Sequence, residues 1–284
     1  MTRISNISVI VLTKNEEAGI ASTLAQLRDF EDVIVVDSQS DDRTVEIAIA
    51  SGARVVDFVW NGEYPKKKQW ALENAGTVNQ WVLLLDADEF PSPSLRDELV
   101  TLEKSLARRR EGAFDINLLY RFGGRYLRYG HVVTKRSLLH INRAAFPVID
   151  DLSAPGIREV EGHYQPEVAA PIGRLRHRIV HDDRDPVSSW FARHNRYSDW
   201  EAHLRLNARL RRDIASKRTL KGRIFDGLPF KPAMFFGYAY VARLGFLDGR
   251  AGLDYATALT TYYWQIGLKT REALRLQAAA QERS

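Results

Sequence analysis

An α/β fold built on a mostly parallel sheet is what the first hundred residues predict. Three observations carry this: short apolar runs that suit strands buried on both faces, segments of helical period between them, and polar residues directly after each run. Residues 7–12 (ISVIVL) form the first run. Asn15-Glu-Glu-Ala then opens a helical stretch with Ile20, Leu24 and Leu27 at helical spacing. Residues 32–36 (DVIVV) are a second strand ending at Asp37, and Ser40-Asp-Asp-Arg-Thr supplies N-cap chemistry for a helix over 45–50. Gly52 stops that helix, residues 53–58 read as a third strand, and a helix follows around 68–75. Residues 81–85 (WVLLL) are the most apolar strand and end at Asp86. Strands separated by helices imply right-handed crossovers, and in such sheets ligands bind outside the carboxyl ends of the strands. Residues 13–16, 37–42 and 86–89 all sit at such ends and should form one polar rim.

The pattern from 94 to 110 is helical again, with Leu95, Leu99, Leu102 and Leu106 on one stripe and Arg108, Arg109 and Arg110 closing the helix where cations suit its dipole. Residues 114–181 read as strands and loops, punctuated by Gly123-Gly124, Pro147, Pro155-Gly156 and Pro171. From Asp185 the pattern returns to helix, rich in aromatic and basic residues. The expected division is a domain over 1–184 and a helical region over 185–284.

Composition narrows the class. The chain has 284 residues, 45% of them hydrophobic and 27% charged, which excludes a disordered or collagen-like polymer. It has no cysteine, which excludes a disulfide framework, a thiolate zinc site and a cysteine nucleophile, and fits a reducing compartment. No stretch approaches 18 uninterrupted apolar residues, and the six-residue run near the start is too short for a signal sequence. A soluble or peripheral cytoplasmic protein is expected. Residues 172–250 hold 17 Lys and Arg against 8 Asp and Glu, although the whole chain is only +5. Such a surplus suits a polyanionic surface or a solvated helical face.

The strongest chemical motif is Asp86-Ala-Asp88-Glu89 at the end of WVLLL. Two carboxylates at i and i+2 past a buried strand point the same way and offer the hard oxygen ligands that Mg²⁺ or Mn²⁺ carrying a diphosphate requires. Asp37 suits hydrogen bonds from a base or ribose, or equally a helix cap. Lys66-Lys67-Lys68-Gln69 precedes a helix, where charge and free N–H groups together suit phosphate.

As a set, ISVIVLTKNEE, DVIVVDSQSDDRT, KKKQWALENA and WVLLLDADEF resemble the family-2 glycosyltransferases of the GT-A fold, inverting enzymes that use nucleotide sugars. GIREVEG, RLRHRIVHDD, RHNRYSDWEA and GFLDGRAGLDYA resemble a branch that adds hexoses to lipopolysaccharide-core or exopolysaccharide acceptors. The resemblance implies a Rossmann-like, mostly parallel sheet and a UDP-sugar donor of glucose type. It places Thr13, Asn15, Glu16, Asp37, Lys68 and Asp86 at the nucleotide, and Asp88 with Asp86 at a Mg²⁺ or Mn²⁺ ion. Lys68-Gln69 stands where the family often has Arg-Asn. Glu159 is implied as general base, with Arg158 where the branch has His, and Asp151 is its rival. In an inverting transfer a carboxylate takes the acceptor's proton as the new bond forms. His181, at the end of RLRHRIVH, completes the metal shell, touches the diphosphate or is structural, and His177 is the weaker candidate.

The C-terminal region carries information about place. Trp190, Phe191, Tyr197 and Trp200 alternate with Arg193, Arg196 and Arg205; later Phe230, Met234, Phe235, Phe236, Tyr238 and Tyr240 lie near Lys231 and Arg243. Aromatics beside cations suit an interfacial helix on anionic lipid, and also a packed helical layer or a homo-oligomer interface. The expected partners are therefore a UDP-sugar, a lipid-linked or polysaccharide acceptor and the anionic inner face of the cell membrane, but not nucleic acid, for which no binding motif occurs. Two other readings compete. A nucleotidyltransferase should carry a Gly-rich loop after the first strand, where only Gly19 occurs. A non-enzymatic membrane module leaves the acidic rim unexplained.

Overall fold

The computed structural model describes residues 3–149, 151–155, 159–161, 164–207 and 230–282. Residues 156–158 and 162 of the GIREVEG stretch, Arg158 among them, and Pro229 lie outside the described residues. The chain forms two compact units. The first comprises residues 1–121, 132–148 and 159–184; the second comprises 122–131, 149–158 and 185–284.

In the first unit, β1 (Ile4–Thr13), β2 (Phe30–Asp37), β3 (Arg54–Asp57) and β4 (Trp81–Asp86) pair in parallel in the order β3-β2-β1-β4. Helices α1 (Ile20–Ala25), α2 (Thr44–Ala50) and α3 (Lys67–Asn74) make the crossovers. The α/β class with a mostly parallel sheet is thus what the chain adopts. The sheet continues from β4 to β8 (Thr134–His140), β6 (Ala113–Phe122), β11 (Ile172–His181) and the short β5 (Glu89–Pro91). β8 runs antiparallel to β4 and β6, β11 parallel to β6, and β5 antiparallel to β11. A separate two-stranded ladder joins β9 (Ala144–Ala145) to β10 (Glu167–Val168).

Alternation along the central strands feeds two cores, one on each sheet face. Val9, Val11, Leu83 and Leu85 pack with Leu24 and Leu27 near α1 and with Leu95 and Leu99 of α4 (Pro93–Glu103). Ile10, Leu12 and Leu84 pack with Ile34 and Val36 of β2 and Ala71 and Leu72 of α3. Each fully buried aliphatic side chain contributes about 1.5–3 kcal/mol, so this double-sided burial fixes the register and with it the rim. Two helices are shorter than their periodicity predicts. α1 begins at Ile20 rather than near Asn15, because Asn15 adopts a left-handed backbone (φ 57°) and the loop after β1 serves the rim. α4 ends at Glu103 and only a 3₁₀ turn follows at Leu106–Arg108, so the arginines do not close the helix; Arg109 instead pairs with Glu111 at 3.3 Å.

The second unit contains β7 (Arg125–Leu127), α5 (Val187–Leu206), α6 (Lys231–Phe236), a π-type turn (Gly237–Ala242), a 3₁₀ turn (Gly245–Asp248) and the long α7 (Gly249–Gln281). Trp190 of α5 stacks on His194 (3.5 Å between ring centroids), and His194 meets Tyr262 of α7 edge-on. Lys269 Nζ ties α7 to α5 through the Asn195 carbonyl at 2.9 Å and Asp199 at 2.5 Å. The GFLDGRAG stretch has a structural role here. Asp248 accepts the backbone N–H groups of Arg128 (3.1 Å) and Tyr129 (2.9 Å), and a side chain at Gly252 would overlap the Gly245 carbonyl oxygen.

Candidate active site

The rim forms because β1, β2 and β4 end level. Register pairs Thr13 with Asp37 and Leu12 with Asp86. The Thr13 hydroxyl donates to Asp37 Oδ1 at 2.8 Å, and Asp37 also accepts from the Ser40 hydroxyl (2.6 Å) and the Ser40 N–H (2.7 Å). Asp37 is completely buried, so its carboxylate holds the loop after β2 in place. The two loops are then latched together. Asn15 N–H donates to Ser40 Oγ, Asn15 Oδ1 accepts from Asp41 N–H, and Glu16 N–H donates to Thr44 Oγ1. α2 begins at Thr44 with Arg43 at its N-cap and no side-chain cap bond from that residue; Asp42, one residue earlier, accepts the Thr44 N–H at 2.9 Å.

The acids after β4 face residues from two other strands. Lys135, on β8, bridges Asp86 Oδ2 at 2.8 Å and Glu89 Oε2. Burial would push both carboxyls up, but the ammonium outweighs it and holds both below the ordinary carboxylate range. Asp88 meets the end of β11, which β5 holds antiparallel with His181 opposite Glu89. His181 Nε2 lies 3.4 Å from Asp88 Oδ2 and Nδ1 lies 3.6 Å from Glu89 Oε1, while the ring stacks on Tyr120 at 4.5 Å. The Asp182 N–H donates to the Asp88 carbonyl at 2.9 Å, and its carboxylate is clamped by Arg121 and Arg184. That clamp leaves Asp183 on the His181 side.

Asp88, His181 and Asp183 offer three ligand atoms within 4.8 Å of one another, a group that could hold a metal ion. Two carboxylates with an imidazole suit Mn²⁺ or Mg²⁺ better than a soft metal. The electrostatics agree with that fit. Burial and the neighbouring charges of Glu89, Asp86 and Asp183 push the Asp88 carboxyl up to about 6, against the opposing pull of His181. Burial lowers His181, but the surrounding carboxylates outweigh it and raise the ring to about 9. The group retains a proton where a cation would relieve the same repulsion.

Asp86 lies at the cluster's edge in the grip of Lys135, outside the Asp88–His181–Asp183 trio. The α3 N-terminus does not offer free amides: Lys67 N–H donates to the Glu159 carbonyl (2.8 Å), and Lys68 and Gln69 N–H donate to the Glu161 carboxylate (2.8 Å each). An acidic side chain occupies the position where phosphate was expected. The Lys67 ammonium turns inward to the Thr13 carbonyl at 2.6 Å, and burial pulls it down to about 8. The Lys68 ammonium lies over the Phe146 ring at 5.9 Å. Glu159 is partly exposed, with its carboxylate 3.9 Å from the Lys14 ammonium. Asp151, in the second unit, is fully buried and accepts the Trp200 indole N–H at 2.9 Å. His177 pairs with Glu98 of α4 at 2.9 Å, away from the trio.

Sequence reasoning missed Lys135, Asp183 and Glu161. Asp183 had a usable clue: His181-x-Asp183 repeats, at the end of β11, the i, i+2 spacing of Asp86-x-Asp88. Lys135 and Glu161 had none, since each acts on a segment distant in sequence.

The first part of the chain is similar to known proteins. Residues 8–127 match the model of Glycosyl transferase family 2. An uncharacterized glycosyltransferase of Rickettsia typhi is 42% identical over 119 residues, covering 42% of this chain and 40% of that protein. One of Rickettsia prowazekii is 41% identical over the same length and the same shares. The chain spans about 40% of the length of the curated relatives it matches. Among solved structures, glucosyl-3-phosphoglycerate synthase of Mycobacterium tuberculosis, determined with Mn²⁺, UDP and glucosyl-3-phosphoglycerate, is 32% identical, covering 42% of this chain and 45% of that one, with a TM-score of 0.32.

Proposed function

We propose that this chain is a metal-dependent inverting glycosyltransferase. It moves a hexose of glucose type from a UDP-sugar to a lipid-linked, lipopolysaccharide or exopolysaccharide acceptor, working peripherally at the inner face of the cell membrane. The observation that carries the reading is the convergence of Asp88, His181 and Asp183 on the rim where the loops after β1 and β2 are latched together. The family match over residues 8–127 supports it, since that stretch contains both loops and the Asp86–Asp88 acids.

Each residue then has a task. Thr13, Asn15, Glu16, Asp37 and Lys68 line the nucleotide pocket, with Asp37 acting through the loop it fixes. Asp88, His181 and Asp183 would hold Mn²⁺ or Mg²⁺, with Asp86 beside them. When bound, such an ion neutralises charge growing on the departing diphosphate. Lys135 holds Asp86 and Glu89 ionised beside that group. Glu159 accepts the proton of the attacking acceptor hydroxyl, and the new bond forms on the sugar face opposite the diphosphate. Asp151, enclosed and bonded to Trp200, is better suited to packing than to that task.

A thermal-shift screen of UDP-, GDP- and dTDP-sugars with and without Mn²⁺ tests the reading. A ligand that binds the native state at about 100 times its Kd stabilises by about 2.7 kcal/mol and raises the midpoint. A rise with UDP-glucose only when Mn²⁺ is present is the expected result. No rise with any nucleotide sugar removes the proposal.

A further inference from the structure

The turn between α6 and α7 sorts its apolar residues into two sets. Phe235 and Ala239 point inward, with Phe235 against Tyr263 at 4.7 Å and edge-on to His131. Met234, Tyr238, Val241, Leu244, Phe246 and Leu247 point outward, each 44–60% exposed. Two features accompany the outward set after Met234. The π-type turn at Gly237–Ala242 widens the helix, and Leu244 takes a left-handed backbone (φ 60°) that residues other than glycine rarely adopt. A soluble surface does not spend backbone strain to show six large apolar side chains to water; an exposed apolar patch of this kind marks an interaction site. Between Phe230 and Leu247 there is no acidic residue, while Lys231 and Arg243 lie within the segment and Arg243 is exposed. Residues 230–250 as a whole hold Lys231, Arg243 and Arg250 against Asp248 alone. Among the described residues no helix is long and apolar enough to cross a membrane, so a bilayer would receive this surface only to shallow depth.

We infer that the segment from Met234 to Leu247 is a wedge that enters the headgroup and upper acyl layer of an anionic bilayer, with Val241, Leu244, Phe246 and Leu247 in the apolar layer and Arg243 at the phosphates. This deepens the membrane placement proposed above and rests on it. It also exchanges the residues that composition suggested: Phe235 belongs to the protein interior, and Val241, Leu244 and Leu247 take its place. The exposed apolar bodies give depth, and the cations give preference for acidic lipid. A second copy of the chain covering the same patch would need no lipid and no charge match.

The absence of cysteine makes the test direct, because one introduced cysteine is unique. Full-length Val241→Cys and Leu247→Cys, labelled with an environment-sensitive fluorophore, are mixed with vesicles of phosphatidylcholine alone or with added phosphatidylglycerol. Ile49→Cys, exposed on α2 of the other unit, is the control. The expected result is a blue shift at 241 and 247 with the acidic vesicles, weakened by salt, and none at 49. The triple variant Met234→Gln, Val241→Gln, Leu247→Gln should lower vesicle partition by about tenfold or more while its circular dichroism is unchanged. The wedge is overturned if labels at 241 and 247 do not respond to acidic vesicles. It is equally overturned if they shift in proportion to protein concentration without lipid. UDP binding measured by calorimetry on the same samples separates the two readings: silent labels with UDP binding intact condemn the wedge alone, and a lipid response without UDP binding condemns the transferase.

Discussion

Replacing Lys135 with Met tests whether the rim is held in place by charge. Met retains much of the apolar stem and deletes the ammonium that bridges Asp86 and Glu89. Glu89 is 1% exposed and then keeps the Asp86 N–H at 3.0 Å and, at 3.6 Å, the His181 ring, which the surrounding carboxylates hold protonated near neutrality. Breaking a buried ion pair by removing one partner costs about 3–5 kcal/mol. Asp86 is 44% exposed, so water screens its share and the lower end of that range applies. A loss of about 3 kcal/mol should lower the thermal midpoint by about 6–12 °C. The pH dependence has a definite sign. In the native protein both carboxyls are held below their unfolded values, so their contribution is present above the unfolded carboxylate pKa and is lost as pH falls through the folded one. Without Lys135 only Lys68 and His181 still oppose burial, so both folded values rise, that of the enclosed Glu89 the furthest. The variant therefore loses the stability that the depressed carboxyls contribute above the unfolded carboxylate pKa, and its deficit against native grows as pH rises. Calorimetric scans of both proteins at pH 5, 6.5 and 8, in chelator so that no cation substitutes for the lysine, should show the gap widest at pH 8. A midpoint within about 2 °C of native at pH 8, or a gap that widens toward pH 5, refutes the argument.

Three further outcomes follow from the site. Asp88→Asn should weaken Mn²⁺-dependent UDP binding at least about tenfold by calorimetry, yet leave the midpoint in chelator no lower than native, since burial, aided by the like charges of Glu89, Asp86 and Asp183, raises Asp88 to about 6 against the pull of His181. Glu159→Gln should keep UDP binding and lose about 10²–10⁴ in transfer rate, the usual cost of a missing general base; near-native turnover would move that role elsewhere. Glu161→Ala should cost about 0.5–2 kcal/mol in thermal unfolding, because it strips the carboxylate that caps the Lys68 and Gln69 amides. An unchanged midpoint would mean water caps α3 equally well.

The part of the fold that was legible is the part in which local pattern and tertiary environment agree. Runs such as WVLLL can only be strands buried on both faces, and the helical stretches between them dictate parallel pairing. The rim at Thr13, Asp37 and Asp86 followed from topology alone. Leu95, Leu99, Leu102 and Leu106 were read as one stripe, and all four are buried, although a turn interrupts the helix before Leu106. Segment 114–181 was legible only as strands and loops, since its pairings join residues far apart in sequence. Lys135 meets Asp86 across 49 positions and Glu161 meets Lys68 across 93. No spacing within either segment encodes such contacts.

The C-terminal aromatics show a second limit, one of register rather than distance. Trp190 and Trp200 looked interfacial beside their arginines, but α5 turns both inward, where they are 3% and 2% exposed. Arginine on a helix that packs by one face lies on the other face, so alternation with aromatics describes an ordinary amphipathic helix as well as a membrane one. In Phe230–Leu247 the charge pattern pointed to lipid for a sound reason, yet the depth-giving residues could not be chosen by counting. A π-type turn adds a residue to the helical period and Leu244 then reverses the backbone hand, so every side chain after Gly237 departs from the face that a 3.6-residue count assigns to it. The wedge is therefore a property of where the helix breaks. Its constituents become apparent only once the break is seen.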